Sequence, residues 1–294
     1  MTSIFYKFYH YQRVRFPVFL LLVSLLSVIV SSAAVVSDAK PDPSRLFLAL
    51  LAAIAYILHI RIIDEHRDFY HDTAHHKDRP IQRGVISLKE LKKIDFVMIF
   101  LILASALLLS VYHVGVAMGL LLYTYFAERE FFLGEFIRRH FFWYNAINII
   151  QMLLLQIFVY SFFTKIILIN GLIVTHFLFT GVGAVMLEFL RKIKTPDRES
   201  TGEDTYTWYL GFTNSIIIFV FLVLLDTALF LKITSRILDG QSIWLLFSAL
   251  FVIIFLLSTA VHWFRRTRFT DLLFQLSSLF MYSFFNTVIY FLKF

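Results

Sequence analysis

Residues 44–72 read SRLFLALLAAIAYILHIRIIDEHRDFYHD, and the fold is decided where this stretch changes character. Ser44–Ile63 is a mostly apolar run of the length a helix needs to cross a membrane, about 20 residues. Four carboxylates then follow within two turns: Asp64, Glu65, Asp68 and Asp72. A single run of this kind would suit the buried helix of a large soluble domain. Here it recurs along the whole chain.

Working outward, apolar runs broken by charge, Gly or Pro predict nine spans. They are Pro17–Val36, Ser44–Ile63, Ile94–Val114, Gly115–Ala127, Phe141–Phe163, Ile166–Leu187, Tyr209–Leu231, Ser242–Trp263 and Leu272–Leu292. Of the 294 residues, 59% are hydrophobic and 16% charged. Soluble domains carry roughly 45–50% and about 25%, so one core cannot hide this much apolar surface and the bilayer must act as solvent. The first span follows Lys7, Arg13 and Arg15 as a signal peptide would, but its apolar part exceeds the usual length of roughly 7–15 residues and reads as a retained span. No Pro-rich or Gly/Ser linker divides the chain, which predicts one polytopic membrane domain over 1–294.

Cysteine is absent, which excludes disulfides and thiolate chemistry. The net charge of +7 reflects topology rather than nucleic-acid binding. Six basic residues (Lys40, Arg45, Lys165, Lys232, Arg236 and Lys293) fall on one side of the nine-span arrangement, and the remaining 21 of 27 Lys and Arg on the other. The positive-inside rule then puts the N-terminus in the cytoplasm and the C-terminus opposite, in a cell membrane. It also makes the two long polar loops, about 64–93 and 190–207, cytoplasmic.

In the first loop, Asp64, Asp68 and Asp72 are four apart. On a continued helix they stack on one face at about 6 Å intervals. Like charges at that spacing destabilise a helix, and acids near hydrocarbon are costly, so a positive partner is required. Arg67 and Lys77 pairing with them on a solvated face is the plain alternative. A sulfur-free carboxylate set also suits a hard cation such as Mg²⁺ that bridges to phosphate. Downstream, Arg79 and Arg83 flank Pro80 and Gly84, and Ser87 with Glu90 forms a helix-start signature.

Together, Asp64–Ser87 resembles the first signature of the UbiA superfamily of intramembrane prenyltransferases, NDxxDxxxD followed by RPxxxGxxS. The leading pair is Asp64–Glu65, a DE form, then Asp68, Asp72, Arg79, Pro80, Gly84 and Ser87. The resemblance implies nine helices around a central cavity, with Mg²⁺ held by the acids and a prenyl diphosphate as substrate. In the second loop, Gly202, Thr205 and Gly211 keep the family's G-x-x-T…G spacing, but Lys194 and Arg198 stand where its second aspartate pair belongs. Either Glu188 and Glu199 rebuild that metal site, or Arg191, Lys192 and Lys194 bind diphosphate directly. After the fourth span, the family's Tyr-Pro-Tyr-x-Lys-Arg element becomes Tyr123–Arg129, with Arg129 one place late. The segment Glu128–His140 is similar to a divergent subgroup with the DE motif.

By this resemblance, Asp64, Glu65, Asp68 and Asp72 are the catalytic and metal-binding acids, joined by Glu188 and Glu199. Arg79, Arg83, Arg129, Arg191, Lys192 and Lys194 would meet the diphosphate. The implied activity is Mg²⁺-dependent prenyl transfer to a small lipophilic or aromatic acceptor. A terpene cyclase needing no acceptor is the rival, and a non-catalytic membrane protein or transporter a third. Among other polar residues, His71 and His75 have the spacing of a metal pair, but the cluster His71, His75 and His76 reads as loop solvation or phosphate contact rather than as a metal site. Asn145, Asn148, Gln151, Asn170 and His176 read as packing hydrogen bonds, and Asp226 as interfacial.

Overall fold

Apolar runs without internal Pro satisfy their backbone only by coiling, and a computed structural model shows the chain as helices throughout its described residues, 3–15, 18–199, 204–237 and 243–294. The helices are α1 (Ile4–Arg15), α2 (Val18–Val36), α3 (Pro43–Arg67), α4 (Phe69–His75), α5 (Leu88–Leu107), α6 (Val111–Glu128) and α7 (Gly134–Arg139). Then follow α8 (Phe141–Ser161), α9 (Gly171–Arg191), α10 (Tyr206–Leu210), α11 (Phe212–Ile237), α12 (Ile243–Arg265) and α13 (Arg268–Lys293). The expected span ends at Pro17 and Ser242, and the motif residue Gly202, lie outside the described residues.

Among the described residues, six helices, α3, α8, α9, α11, α12 and α13, are long and apolar enough to cross a membrane. The apolar stretch Leu22–Val36 is shorter, and α5 carries Lys89, Glu90, Lys92, Lys93 and Asp95 in its first turns. Lipid as solvent shows most clearly on α12, where Leu246, Leu250, Ile253 and Leu257 form an exposed stripe at helical spacing. An aqueous protein would bury such a stripe.

The chain forms two compact units: Met1–Leu25 with Asp42–Lys165, and Leu26–Pro41 with Ile166–Phe294. In the first, α3 packs on α5 and α6 on α8. Ala49, Ala52, Ala53 and Ala55 are fully buried on α3, because small residues let backbones approach where lipid offers no hydrophobic drive. Tyr56 Oη and Thr124 Oγ1 share a hydrogen bond of 2.7 Å between α3 and α6. Helix α1 docks through Tyr11, which is buried against Leu58, Ile62, Ile81, Ile86 and Leu91.

In the second unit, α9 packs on α11 and α12 on α13. His176 Nε2 lies 3.0 Å from Ser31 Oγ, which donates to Asn286 Oδ1 at 2.6 Å. The packing role expected of His176 therefore holds. Asn170 is instead the N-cap of α9, accepting from the amides of Leu172 and Ile173 at 2.9 Å. Asp226 is fully buried in mid-α11, and neither of its carboxylate oxygens has a hydrogen-bond partner. The interfacial position expected of it is overturned.

The break between the third and fourth spans also moves. It lies at Leu108–Ser110, not at Val114–Gly115. Hydropathy runs unbroken through Leu107–Leu109 and cannot reveal it. Ser110 is extended ahead of α6, with its Oγ 2.7 Å from His113 Nδ1, while His113 Nε2 lies 2.7 Å from the Ser161 carbonyl.

Candidate active site

The first acidic motif sits where α3 passes into α4. Helix α3 ends at Arg67, and Asp68 serves as the joint, with φ −90° and ψ 4°. The i→i+4 ladder nevertheless continues, since the amides of Asp68, Asp72 and His76 each donate 2.8 Å bonds to the carbonyls of Asp64, Asp68 and Asp72. The backbone ladder therefore continues across a kink, with the Asp68 side chain partly exposed and Asp72 buried. Further on, Gly84 takes φ +71°, a left-handed conformation that side chains with a Cβ rarely adopt. Ser87 and Glu90 then form the predicted capping box that starts α5.

Each carboxylate meets a guanidinium. Glu65, only 2% exposed, accepts on Oε1 from Arg15 Nε at 2.8 Å, Arg61 Nη2 at 3.1 Å and Tyr11 Oη at 3.3 Å. Asp64 accepts from Arg67 Nη2 at 2.6 Å. Asp68 accepts from Tyr144 Oη at 3.0 Å and lies 3.3 Å from Arg67 Nε. The Arg67 guanidinium also lies 4.5 Å over the Tyr144 ring. Buried Asp72 pairs with Arg79, and Arg15 Nη2 stands 3.8 Å from its Oδ2. Arg83 is exposed in the turn.

This interleaving accounts for how four acids coexist beside a membrane: like-charge repulsion is relieved by the fixed forks of arginine. Sequence reasoning anticipated Arg67 but missed Arg15, Arg61, Tyr11 and Tyr144 as partners. Only Arg61 carried a local signal, because it precedes Glu65 by one turn. Burial pushes the Tyr11 phenol up, with the Glu65 charge adding to it, so Tyr11 stays a hydrogen-bond donor. The donor set fits a hard cation: it is all oxygen, and Asp68 keeps a side chain 33% exposed.

Arg129 lies elsewhere. It stacks over Tyr125 at 4.7 Å and lines a cleft of about 600 Å³ between α3, α5 and α6. His59, Ile62, Ile63 and His66 of α3 face this cleft. At about 3.6 residues per turn they occupy the side nearly opposite Asp64 and Asp68.

In the second loop, Glu188 forms ion pairs with Arg191 at 2.7 Å and Lys192 at 3.0 Å, both on its own helix end. Burial pulls the Lys192 ammonium down, opposed by the Glu188 charge. Glu199 accepts from the hydroxyl of Thr205, which also caps α10 through the Trp208 amide at 3.1 Å. The Lys194 amide donates to Thr207 Oγ1 at 3.1 Å. Arg198, in the second aspartate position, donates to Asp271 Oδ2 of α13 at 2.6 Å. Gly211 has φ +77°. The Thr205 and Gly211 elements of the motif thus have structural reasons, a cap and a left-handed turn.

The profile of the UbiA prenyltransferase family matches residues 24–284. A search of curated protein sequences finds no match. Among solved structures, the chain is similar to an apo UbiA homolog from Aeropyrum pernix K1, with a TM-score of 0.60 and 15% identity, covering 88% of this chain and 94% of that one. A UbiA homolog from Archaeoglobus fulgidus bound to DMAPP and Mg²⁺ gives 0.56 and 14%, covering 95% and 98%. A digeranylgeranylglyceryl phosphate synthase structure gives 0.53 and 19%, covering 92% of each chain. At these identities the likenesses speak for the fold, and the profile spans most of the chain: this multi-pass membrane protein belongs to the UbiA prenyltransferase family.

Proposed function

We propose that the chain is a Mg²⁺-dependent enzyme that transfers an isoprenyl group from its diphosphate to a small lipophilic acceptor within the membrane. The observation that carries this is the ordered set Asp64, Glu65, Asp68 and Asp72, held by Arg15, Arg61, Arg67 and Arg79. The UbiA homolog bound to DMAPP and Mg²⁺ supports the substrate class. A second structure of that homolog, bound to GPP and Mg²⁺, supports it again.

Asp64, Glu65, Asp68 and Asp72 would hold the cation, with Glu188 and Glu199 as the donors of the second loop. When bound, Mg²⁺ supplies Lewis acidity at the leaving oxygens and a template for the diphosphate. The chain's own part is positioning and charge. Arg79 and Arg83 would grip phosphate oxygens through bidentate, charge-assisted hydrogen bonds. Arg191, Lys192 and Lys194 would add positive charge from the second loop. Tyr144 keeps the Asp68 carboxylate oriented through its hydroxyl. The proposal takes all nine expected segments as spans of one polytopic domain, with the N-terminus cytoplasmic.

One observation favours the cyclase reading: Lys194 and Arg198 stand where the family's aspartate pair belongs, and Arg198 pairs with Asp271. The experiment supplies geranyl, farnesyl and geranylgeranyl diphosphates with Mg²⁺ to protein in lipid nanodiscs. Pyrophosphate is measured and extracts are analysed by gas chromatography–mass spectrometry. Little release alone, with turnover once acceptors are added, is the result expected of a transferase. A cyclic product without acceptor makes the protein a cyclase, and no release under any condition removes the catalytic reading.

A further inference from the structure

The histidines of the first loop are not absorbed by that reading. Helix α4 and its C-cap carry His71, Asp72, His75 and His76. One ligand atom from each of His71, Asp72 and His76 lies within 4.8 Å of the others. His71 Nδ1 is 3.7 Å from Asp72 Oδ1, and the imidazoles of His71 and His76 are 5.9 Å apart. We propose that His71, Asp72 and His76 form a binding site for a borderline transition-metal ion of the zinc class, separate in chemistry from the oxygen-only cation site.

Three features carry it. The donors are two imidazoles and one carboxylate, a set that suits Zn²⁺ and its neighbours, whereas Mg²⁺ takes oxygen. Tetrahedral zinc with bonds of roughly 2.0–2.2 Å needs ligand atoms about 3.4 Å apart. Contraction from 4.8 Å is within reach of rotamer changes, since His71 is 42% exposed. The carboxylate is also pre-aimed. Arg79 and Arg15 hold Asp72 Oδ2, which leaves Oδ1 turned toward His71. Outer-shell partners of this kind fix a ligating carboxylate. The site opens to solvent through His71 and His76, which gives an entry path, while buried Asp72 forms its floor. His75, its ring 4.8 Å from His71, is the nearest source of a fourth ligand.

Asp72 belongs to both sites, so occupation by the transition metal withdraws it from the first motif. This consequence, unlike the binding itself, rests on the proposed function.

The test is calorimetric titration of Zn²⁺ into metal-free protein in nanodiscs, for wild type, the His71→Ala/His76→Ala double variant and His66→Ala. Thermal melting checks that each is folded. The expected result is one ion per chain, with affinity at least about 100-fold weaker in the double variant and unchanged in His66→Ala. Absence of binding by wild type, or equal binding by a folded double variant, overturns the site. Zn²⁺ should also inhibit Mg²⁺-dependent diphosphate release by wild type and spare the double variant. Equal inhibition of both overturns the sharing of Asp72. If neither protein releases diphosphate even without zinc, the functional reading fails, while the zinc site still stands or falls on the calorimetry.

Discussion

The two polar loops solve the same electrostatic problem in opposite ways. In the first, acids outline the motif and arginines from α1, α3 and the turn after α4 neutralise them one by one. In the second, Glu188 is neutralised by the two basic residues that follow it on the same helix end, and Glu199 accepts from Thr205. The position of the second aspartate there holds Arg198, whose own counter-charge is brought by Asp271. The first motif is therefore an acid site with borrowed bases, whereas the second aspartate position is a base with a borrowed acid. A family element can keep its turn and cap, through Thr205 and Gly211, while inverting the charge it presents.

The sharpest way to break this contrast is to delete acids of the first loop. Asp68→Ala or Asp72→Ala should lower diphosphate release at least about a hundredfold, with melting temperature little changed for Asp68, the more exposed of the two. Full activity in either variant would remove the first loop from the chemistry. Glu65 should behave differently. It is buried under three donors, so Glu65→Ala removes the nearest carboxylate from Arg15 and Arg61 and should cost about 3 kcal/mol of stability. A melting temperature equal to wild type would show that water replaces the carboxylate without penalty.

That difference in burial between Glu65 and Asp68 is not written in the motif. The pattern Asp64–Ser87 made the family and the Ser87 cap legible, because both depend on residues close together in sequence, whereas the kink at Asp68 was not visible in it. Hydropathy made most helices legible for the same reason. It misplaced the break after α5, which falls at Leu108–Ser110 where the apolar run continues and where Ser110 meets His113 at the start of α6. The partners that hold the site were hidden because they are distant in sequence: Tyr11 and Arg15 lie 54 and 50 residues from Glu65, and Tyr144 lies 76 from Asp68. Arg129, one place late against the family's basic element, lies in the cleft beside Tyr125, a position that only the packing of its helix reveals.

The second loop offers a subtler test. If Arg198 serves mainly to balance Asp271, then Arg198→Ala and Asp271→Ala should be non-additive, with a coupling of roughly 0.2–1 kcal/mol in a double-mutant cycle. A pair with one partner a third exposed is not expected to give more. Additive effects would mean that the 2.6 Å contact contributes nothing measurable. An activity loss in Arg198→Ala as large as that in Asp68→Ala would show that the base acts on substrate and that the loops are less different than their charges suggest.

The smallest effect concerns the far end of the borrowed base. Helix α1 reaches Glu65 through Arg15 and is tethered at its start by Lys7, whose Nζ lies 2.6 Å from Glu90 Oε1. The Lys7 hydrogen bond, followed by those from Ser87, holds the Glu90 carboxyl down to about 2 from an ordinary value of 4.5. Because the docked value is the lower one, the tether contributes above pH 4.5 and is lost as the pH falls toward 2. Amide exchange across Ile4–Arg15 should therefore be faster in wild type at low pH than the change in intrinsic rate explains. Glu90→Gln should already show that faster exchange at neutral pH and no further titration. The effect is modest, because both partners are about a quarter exposed and solvent screens them. Identical exchange in the two proteins at every pH would mean that Tyr11, in its apolar seat, docks the helix unaided and that Arg15 is delivered to the acids by packing alone.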